Sequence, residues 1–297
     1  MKPLYLFEFV ILAMLWGASF LFMKVAAPEF GAVPLIELRV AIASVVLIPI
    51  VFMRGSQRQL CTHLTPLLIV GATNSAIPFS LFAFATLSLS AGYTSVVNST
   101  APLWAAMIGF VWLKQRYSRT ALLGFGVGFA GVMILVWSKL TGLQGDIVVA
   151  VLAAVFAAVL YGYAVNYSRL TLAKADPFAV AGGSMFTAAL MLLPWALWQW
   201  PATDISQQAW SSVIALGLLC TALAYVLYFR LIKHIGSEKA ITVTYFIPLF
   251  GSLFGYILLD EMITSDMLFG GILIILGTGL VMGLISFNRK AKNQSTH

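Results

Sequence analysis

Two segments decide the fold: Ser99–Arg116, STAPLWAAMIGFVWLKQR, and Ile247–Met262, IPLFGSLFGYILLDEM. Pro102 aligns with Pro248 at a shift of 146 residues, which carries LKQR at Leu113–Arg116 onto LDEM at Leu259–Met262. The register holds outward, placing Gly124 on Gly270 and Gly131 on Gly277. At a shift of 145, Trp16, Gly17 and Lys24 fall on Tyr161, Gly162 and Arg169. A near-constant register over such a length indicates a duplication, with one unit at 1–140 and a second at 141–297 that ends in a short basic tail.

Composition says what is duplicated. Of 297 residues, 61% are hydrophobic and 9% charged, against about 45–50% apolar and 25% charged in soluble domains. A soluble protein is excluded. A helix needs about 20 apolar residues to cross the hydrocarbon, so ten helices of about 22 residues would use roughly 220 positions. The remaining loops are too short for a soluble catalytic or nucleotide-binding domain.

Cutting at charged, Pro, Gly and Ser clusters places apolar segments at about 4–24, 33–53, 66–89, 91–114 and 119–137. Five more fall at about 146–168, 177–199, 208–231, 236–259 and 265–287. The expected fold class is therefore an all-α integral membrane protein with ten transmembrane helices. Each repeat contains an odd number of crossings, so the second enters from the opposite side, the inverted-repeat construction of secondary transporters.

Alternate loops hold Lys2, Arg54, Arg58, Lys114, Arg116, Arg119, Arg169, Lys174, Arg230, Lys233, Lys239, Arg289, Lys290 and Lys292. These are fourteen of the 17 basic residues. Basic residues accumulate on the untranslocated side, which predicts cytoplasmic termini in a multi-pass protein of the cytoplasmic (inner) membrane. Glu29, Asp146, Asp204, Asp260, Glu261 and Asp266 then fall outside. With one Lys2 and no A-x-A cleavage pattern, the N-terminal apolar run reads as a retained first helix.

The residues resemble the EamA family of the drug/metabolite transporter superfamily. The resemblance covers nearly the whole chain and rests on WGASFLFMK (Trp16–Lys24), PLIELR (Pro34–Arg39) and the two segments quoted above, in that order and spacing. It implies a central cavity lined mainly by the first, third, fourth, sixth, eighth and ninth helices, and export of amino acids or other small metabolites. One departure is Gln115, where such proteins usually carry Glu; the second repeat keeps Glu261. The smaller four-helix multidrug exporters of the superfamily place a membrane-embedded Glu eight residues before a Lys. Here that position is Trp16, eight before Lys24, which disfavours export of cationic drugs.

The residues themselves point to mid-depth. Pro78, Pro102 and Pro248 stand near the centres of their segments, and the residues four earlier are Asn74, Asn98 and Thr244. Proline frees the carbonyl four residues back, and in hydrocarbon that acceptor needs a partner. Three such coincidences predict interrupted helices around one polar region, the form of a transporter substrate site. Ordinary kinks with interhelical hydrogen bonds are the competing reading. Trp16 and Ser19 share a face at the same depth, as do Tyr225 and Tyr228, with Tyr161 nearby. Such aromatics can cover an apolar ligand surface or simply pack.

Charges in the membrane default to functional candidates. Glu37 and Arg39 lie about 200° apart around their helix and cannot pair on one face. Arg39 is about 9 Å from the outer helix end, within snorkelling reach. Glu37 is the candidate for a coupling proton, Lys24 stands at the rim, and Glu8 is expected at the interface.

Several motifs resemble chemistry without its context. Gly126, Gly128 and Gly131 spell G-x-G-x-x-G, but no soluble strand precedes them. With Gly124 they read as small residues for close helix packing, a device repeated at Gly251/Gly255 and Gly279/Gly283. Asn98-Ser99-Thr100 matches a glycosylation acceptor but is buried in mid-helix. Cys61 and Cys220 are far apart, and His63, His234 and His297 are scattered, so no disulfide framework or metal cluster is indicated. There is no P-loop, no cofactor motif and no expected nucleic-acid partner; an ion gradient or exchanged solute must supply energy.

The sequence therefore predicts a non-enzymatic secondary transporter, embedded in a lipid bilayer, that exports small neutral or zwitterionic metabolites, amino acids foremost. Uptake of sugar phosphates or nucleotide sugars, or a non-transporting membrane role, are the alternatives. The first would want clustered cavity cations, and the second would not need three Pro/polar interruptions.

Overall fold

The computed structural model describes residues 3–140 and 145–284. Lys2, Arg289, Lys290, Lys292 and His297 lie outside the described residues. Among the described residues, nine helices are long and apolar enough to cross a membrane: α1 Pro3–Phe30, α2 Ala32–Met53, α3 Leu64–Ser88, α4 Ala91–Leu113, α5 Arg119–Lys139, α6 Gly145–Thr171, α7 Pro177–Trp198, α8 Gln207–Ile235 and α9 Ile241–Leu259. A tenth apolar helix, α10 Ser265–Val281, is shorter. The chain is an all-helical, multi-pass membrane protein. Bulky apolar side chains such as Val45 at 73% and Leu197 at 66% exposure cover its outer face, where lipid replaces water.

The helix limits follow local chemistry. Asp176 caps α7 by accepting from Phe178 N and Ala179 N, with Pro177 in the first turn, where its missing N–H costs nothing. Ser206 caps α8 and Ser90 caps α4 in the same way. α1 runs past the expected end to Phe30, so Lys24 and Glu29 belong to the helix, and Gly31 at φ 77° turns the chain into α2. Lys114 and Asp260, repeat mates, both end their helices in the left-handed conformation, at φ 51° and 52°.

The duplication reappears in the packing as exchanged contacts. On α5 and α10, a methyl group at Gly124 would fall 2.7 Å from the Gly277 carbonyl oxygen, and one at Gly131 would fall 2.6 Å from that of Gly270. Each glycine thus meets the repeat mate of the other, the pattern of an isologous contact. Gly17 of α1 packs on Phe250 and Gly251 of α9, as Gly162 of α6 packs on Trp104 and Ala105 of α4. Gly126 and Gly283 correct the expected small-residue device, since nothing lies near either. Gly283 instead turns the chain at φ 72° after α10.

Contacts between helix ends define the two ends of the bundle. At one, Arg54 pairs with Asp176 at 2.7 Å and Tyr5 meets His234. Glu8, expected at the interface, is buried there and pairs with Arg230 at 3.0 Å, because α8 packs over it. At the other end Glu29 accepts from Ser206, and Asp266 accepts from Ser138.

Candidate functional site

Within the bundle lies a cavity of about 420 Å³, in the range of small-molecule sites. It is lined by α1, α3, α4, α6, α8 and α9, with Arg39 of α2, Gln115 and Tyr117 of the α4–α5 loop, and Met282 after α10 added. Trp16, Ser19, Asn74, Asn98, Pro102, Tyr161, Tyr225 and Thr244 all reach its wall. Pro78, Tyr228, Pro248, Glu37 and Lys24 do not.

Local helix geometry explains which residues line it. α3 contains a π-helical stretch, Gly71–Ala76, just before Pro78. A π turn repeats at five residues rather than four, so Asn74 lines up with Phe79 and the proline is rotated off the wall. α8 carries the corresponding π stretch at Leu218–Leu223, without a proline. There Cys220 lines up with Tyr225. The Thr221 hydroxyl donates to the Leu216 carbonyl at 2.8 Å, five residues back across the widened turn. Tyr228, three residues on, turns toward α1 and meets the Trp16 ring at 5.2 Å between centroids.

α9 opens with a 3-10 stretch, Ile241–Phe246. Three residues per turn bring Ile241, Thr244 and Ile247 into one row on the cavity and leave Pro248 buried beside it. α4 divides at Ser99–Thr100, ahead of Pro102. Ser99 and Thr100 donate to the carbonyls of Val96 and Val97 at 2.6 and 2.7 Å, while Asn98 and Pro102 face the cavity.

Further wall residues escape the proline pattern. Asn166 is buried and donates to the Ala105 and Gly162 carbonyls at 2.8 and 2.9 Å, tying α6 to α4. Gln115 accepts from the Tyr117 hydroxyl at 2.9 Å. Both belong to the wall, with exposed Arg169 at the same end of the bundle. Arg39 is 5% exposed and turned inward, not snorkelling. Its Nε donates to Thr221 Oγ1 at 3.0 Å, and the guanidinium lies 3.7 Å over the Phe79 ring. Glu37 is buried with Oε2 unbonded, away from the cavity wall.

The far end is tied shut by paired caps. Lys24 donates to the Thr86 and Leu89 carbonyls at 2.7 and 3.0 Å, closing the C-terminus of α3. Glu261 accepts from Ala91 N and Gly92 N at 2.8 and 3.2 Å, capping the N-terminus of α4. Their repeat mates, Arg169 and Gln115, make no such caps among the described residues and line the cavity instead. The two halves thus hold these equivalent groups differently, as caps in one place and as cavity wall in the other.

Comparison with known proteins agrees with this architecture. An uncharacterized transporter of Bacillus subtilis, YoaV, is 23% identical over 284 residues, spanning 95% of this chain and 97% of that one. A protein of Salmonella typhimurium named a probable amino-acid metabolite efflux pump is 23% identical, spanning 90% and 91%. A probable terminal-alkyne amino-acid exporter of Streptantibioticus cattleyicolor is 23% identical, spanning 92% and 91%. One solved structure matches with a TM-score of 0.65 at 18% identity, covering 96% of this chain and 99% of that chain. It shows the fold alone. The model of the EamA-like transporter family matches both halves, at residues 4–137 and 148–283. The chain belongs to the EamA-like transporter family.

Proposed function

We propose that this transporter exports small neutral or zwitterionic metabolites, amino acids foremost, across the cytoplasmic membrane by alternating access. The observation that carries the reading is the cavity within the bundle, walled by interrupted helices of both repeats and capped at one end by Lys24 and Glu261. A secondary transporter needs such a site at a repeat interface. Names given to the Salmonella and Streptantibioticus relatives support amino acids as the leading class.

In this reading the repeats are inverted, both termini are cytoplasmic, and the basic end faces the cytoplasm. The structure then represents a state open inward and closed outward by Lys24 and Glu261. Asn74, Asn98 and Thr244 bond the solute's polar groups, while Trp16, Tyr161 and Tyr225 cover its side chain. Energy comes from an ion gradient or exchanged solute, with Glu37 as the candidate proton carrier. Unchanged pH dependence of transport in Glu37→Gln would remove that role.

Counterflow by purified protein in liposomes tests the reading. Labelled amino acid should accumulate against unlabelled amino acid inside, and Asn98→Ala should slow it. Absence of counterflow across an amino-acid panel would contradict it.

A further inference from the structure

Among the described residues, the charged side chains on the cavity wall are two arginines, Arg39 and Arg169, with no carboxylate beside them. Arg169 is exposed at the basic end. Arg39 is 5% exposed, which makes it a cation enclosed by protein. Arginine keeps its charge at any working pH, and an enclosed cation is costly unless an anion compensates it.

Among the described side chains, none forms an ion pair with Arg39. Glu8 is paired with Arg230 and Asp176 with Arg54. Glu261 is bound by the amides of Ala91 and Gly92, Glu29 by Ser206, and Asp266 by Ser138. Glu37 sits about 200° around α2 from Arg39 and is not a wall residue.

The groups that hold the guanidinium are neutral, and Tyr161, Tyr225 and Cys220 stand near it in the wall. Thr221 accepts from Nε, Met23 Sδ stands 3.9 Å from Nη1, and Phe79 covers one face at 3.7 Å. The ring supplies cation–π attraction, and the π stretch of α8 holds the Thr221 oxygen in place. Nη2 has no partner among the described residues. The side chain is thus oriented by neutral groups, with part of its fork left for an acceptor.

We propose that Arg39 is the carboxylate-binding group of this cavity and that the transported solutes carry a carboxylate, which completes the missing ion pair. The proposal rests on reading the cavity as the substrate site. A guanidinium fork matches the two oxygens of a carboxylate. A phosphate dianion would call for a second enclosed cation, which the wall lacks. No acid on the wall waits for an ammonium group, so the carboxylate matters more to recognition than the amine.

The test uses the purified full-length protein and five probes of similar apolar bulk: phenylalanine, 3-phenylpropionate, phenylalaninamide, phenethylamine and phenyl phosphate. Titration should show both carboxylates binding, with the amide and amine weaker by roughly ten- to a hundredfold and phenyl phosphate weaker than the carboxylates. Arg39→Gln should abolish the preference of acid over amide, and Arg39→Lys should keep part of it.

The proposal is overturned if the amide or amine matches the acids, if phenyl phosphate binds best, or if neither acid binds. Persistence of the acid preference in Arg39→Gln also overturns it. Should Arg39→Gln fail to fold, the wild-type panel decides alone. Counterflow of phenylalanine by wild type separates the two levels. Counterflow without an acid–amide difference removes the carboxylate site and leaves transport standing; acid-selective binding without counterflow supports the site and counts against transport.

Discussion

Glu261, on the loop after α9, accepts the backbone N–H of Ala91 at 2.8 Å across 170 residues of sequence. The second repeat thereby caps a helix of the first, beside the Lys24 cap on α3. Charge-assisted bonds of this kind contribute about 1.5–3 kcal/mol. Glu261→Ala should speed hydrogen exchange at Ala91 and Gly92 by roughly ten- to a hundredfold, which peptide-resolved exchange in detergent would read. Unaltered exchange at those amides would mean that the carboxylate does not latch this end.

The α5–α10 crossing makes a sharper steric prediction. Gly131→Ala would put a methyl 2.6 Å from the Gly270 carbonyl oxygen, whereas Gly126, five residues away, has open space. Gly131→Ala should lower stability by about 1–3 kcal/mol, the usual cost of overpacking. Gly126→Ala should be neutral or gain up to about 1 kcal/mol from helix propensity. Equal effects of the two substitutions on unfolding in detergent would refute the close crossing.

Thr221 serves two groups, donating to the Leu216 carbonyl and accepting from Arg39 Nε. Thr221→Val keeps the shape and leaves both without that partner, so a loss of about 1–3 kcal/mol is expected. Thr221→Ser should recover most of it. A Val variant as stable as wild type would show that the π stretch does not depend on this hydroxyl.

Asp176 links two loops at the basic end. Burial pushes its carboxyl upward, but the Arg54 guanidinium and the amides of Ala179 and Phe178 outweigh that and hold it below the ordinary carboxylate value. A depressed folded value adds stability that is present above the unfolded value, about 3.9, and lost as pH falls through the folded one. Thermal melts should therefore be flat in this contribution near neutrality and fall below about pH 4, less steeply in Asp176→Asn. Identical acid limbs in the two proteins would contradict it.

Much of this architecture is legible in the sequence because hydrocarbon leaves the backbone few options. Apolar length places the helices within a few residues, except where α1 continues through Lys24 and Glu29 to Phe30. The register from Pro102 to Pro248 foreshadows the exchanged contacts of Gly124 with Gly277 and Gly131 with Gly270.

The wall is harder to read, because its spacing is not that of an α-helix. A π turn aligns Asn74 with Phe79 and removes Pro78; a 3-10 turn aligns Ile241, Thr244 and Ile247 and removes Pro248. The π stretch of α8 has no proline to announce it, so Cys220 and Thr221 pass unnoticed. Gln115 and Arg169 join the wall, whereas their repeat mates Glu261 and Lys24 are engaged as caps. Repeat alignment pairs these residues but does not say which half is latched.

The most direct test of the account is export itself, measured as metabolites in medium and cytoplasm of cells making the wild type, Asn98→Ala, Trp16→Ala or no transporter at equal membrane levels. Selective extracellular accumulation of one class of small amino acid or related metabolite is expected with the wild type, strongly reduced in both variants. Wild-type rates in both variants, or depletion from the medium in place of accumulation, would contradict it.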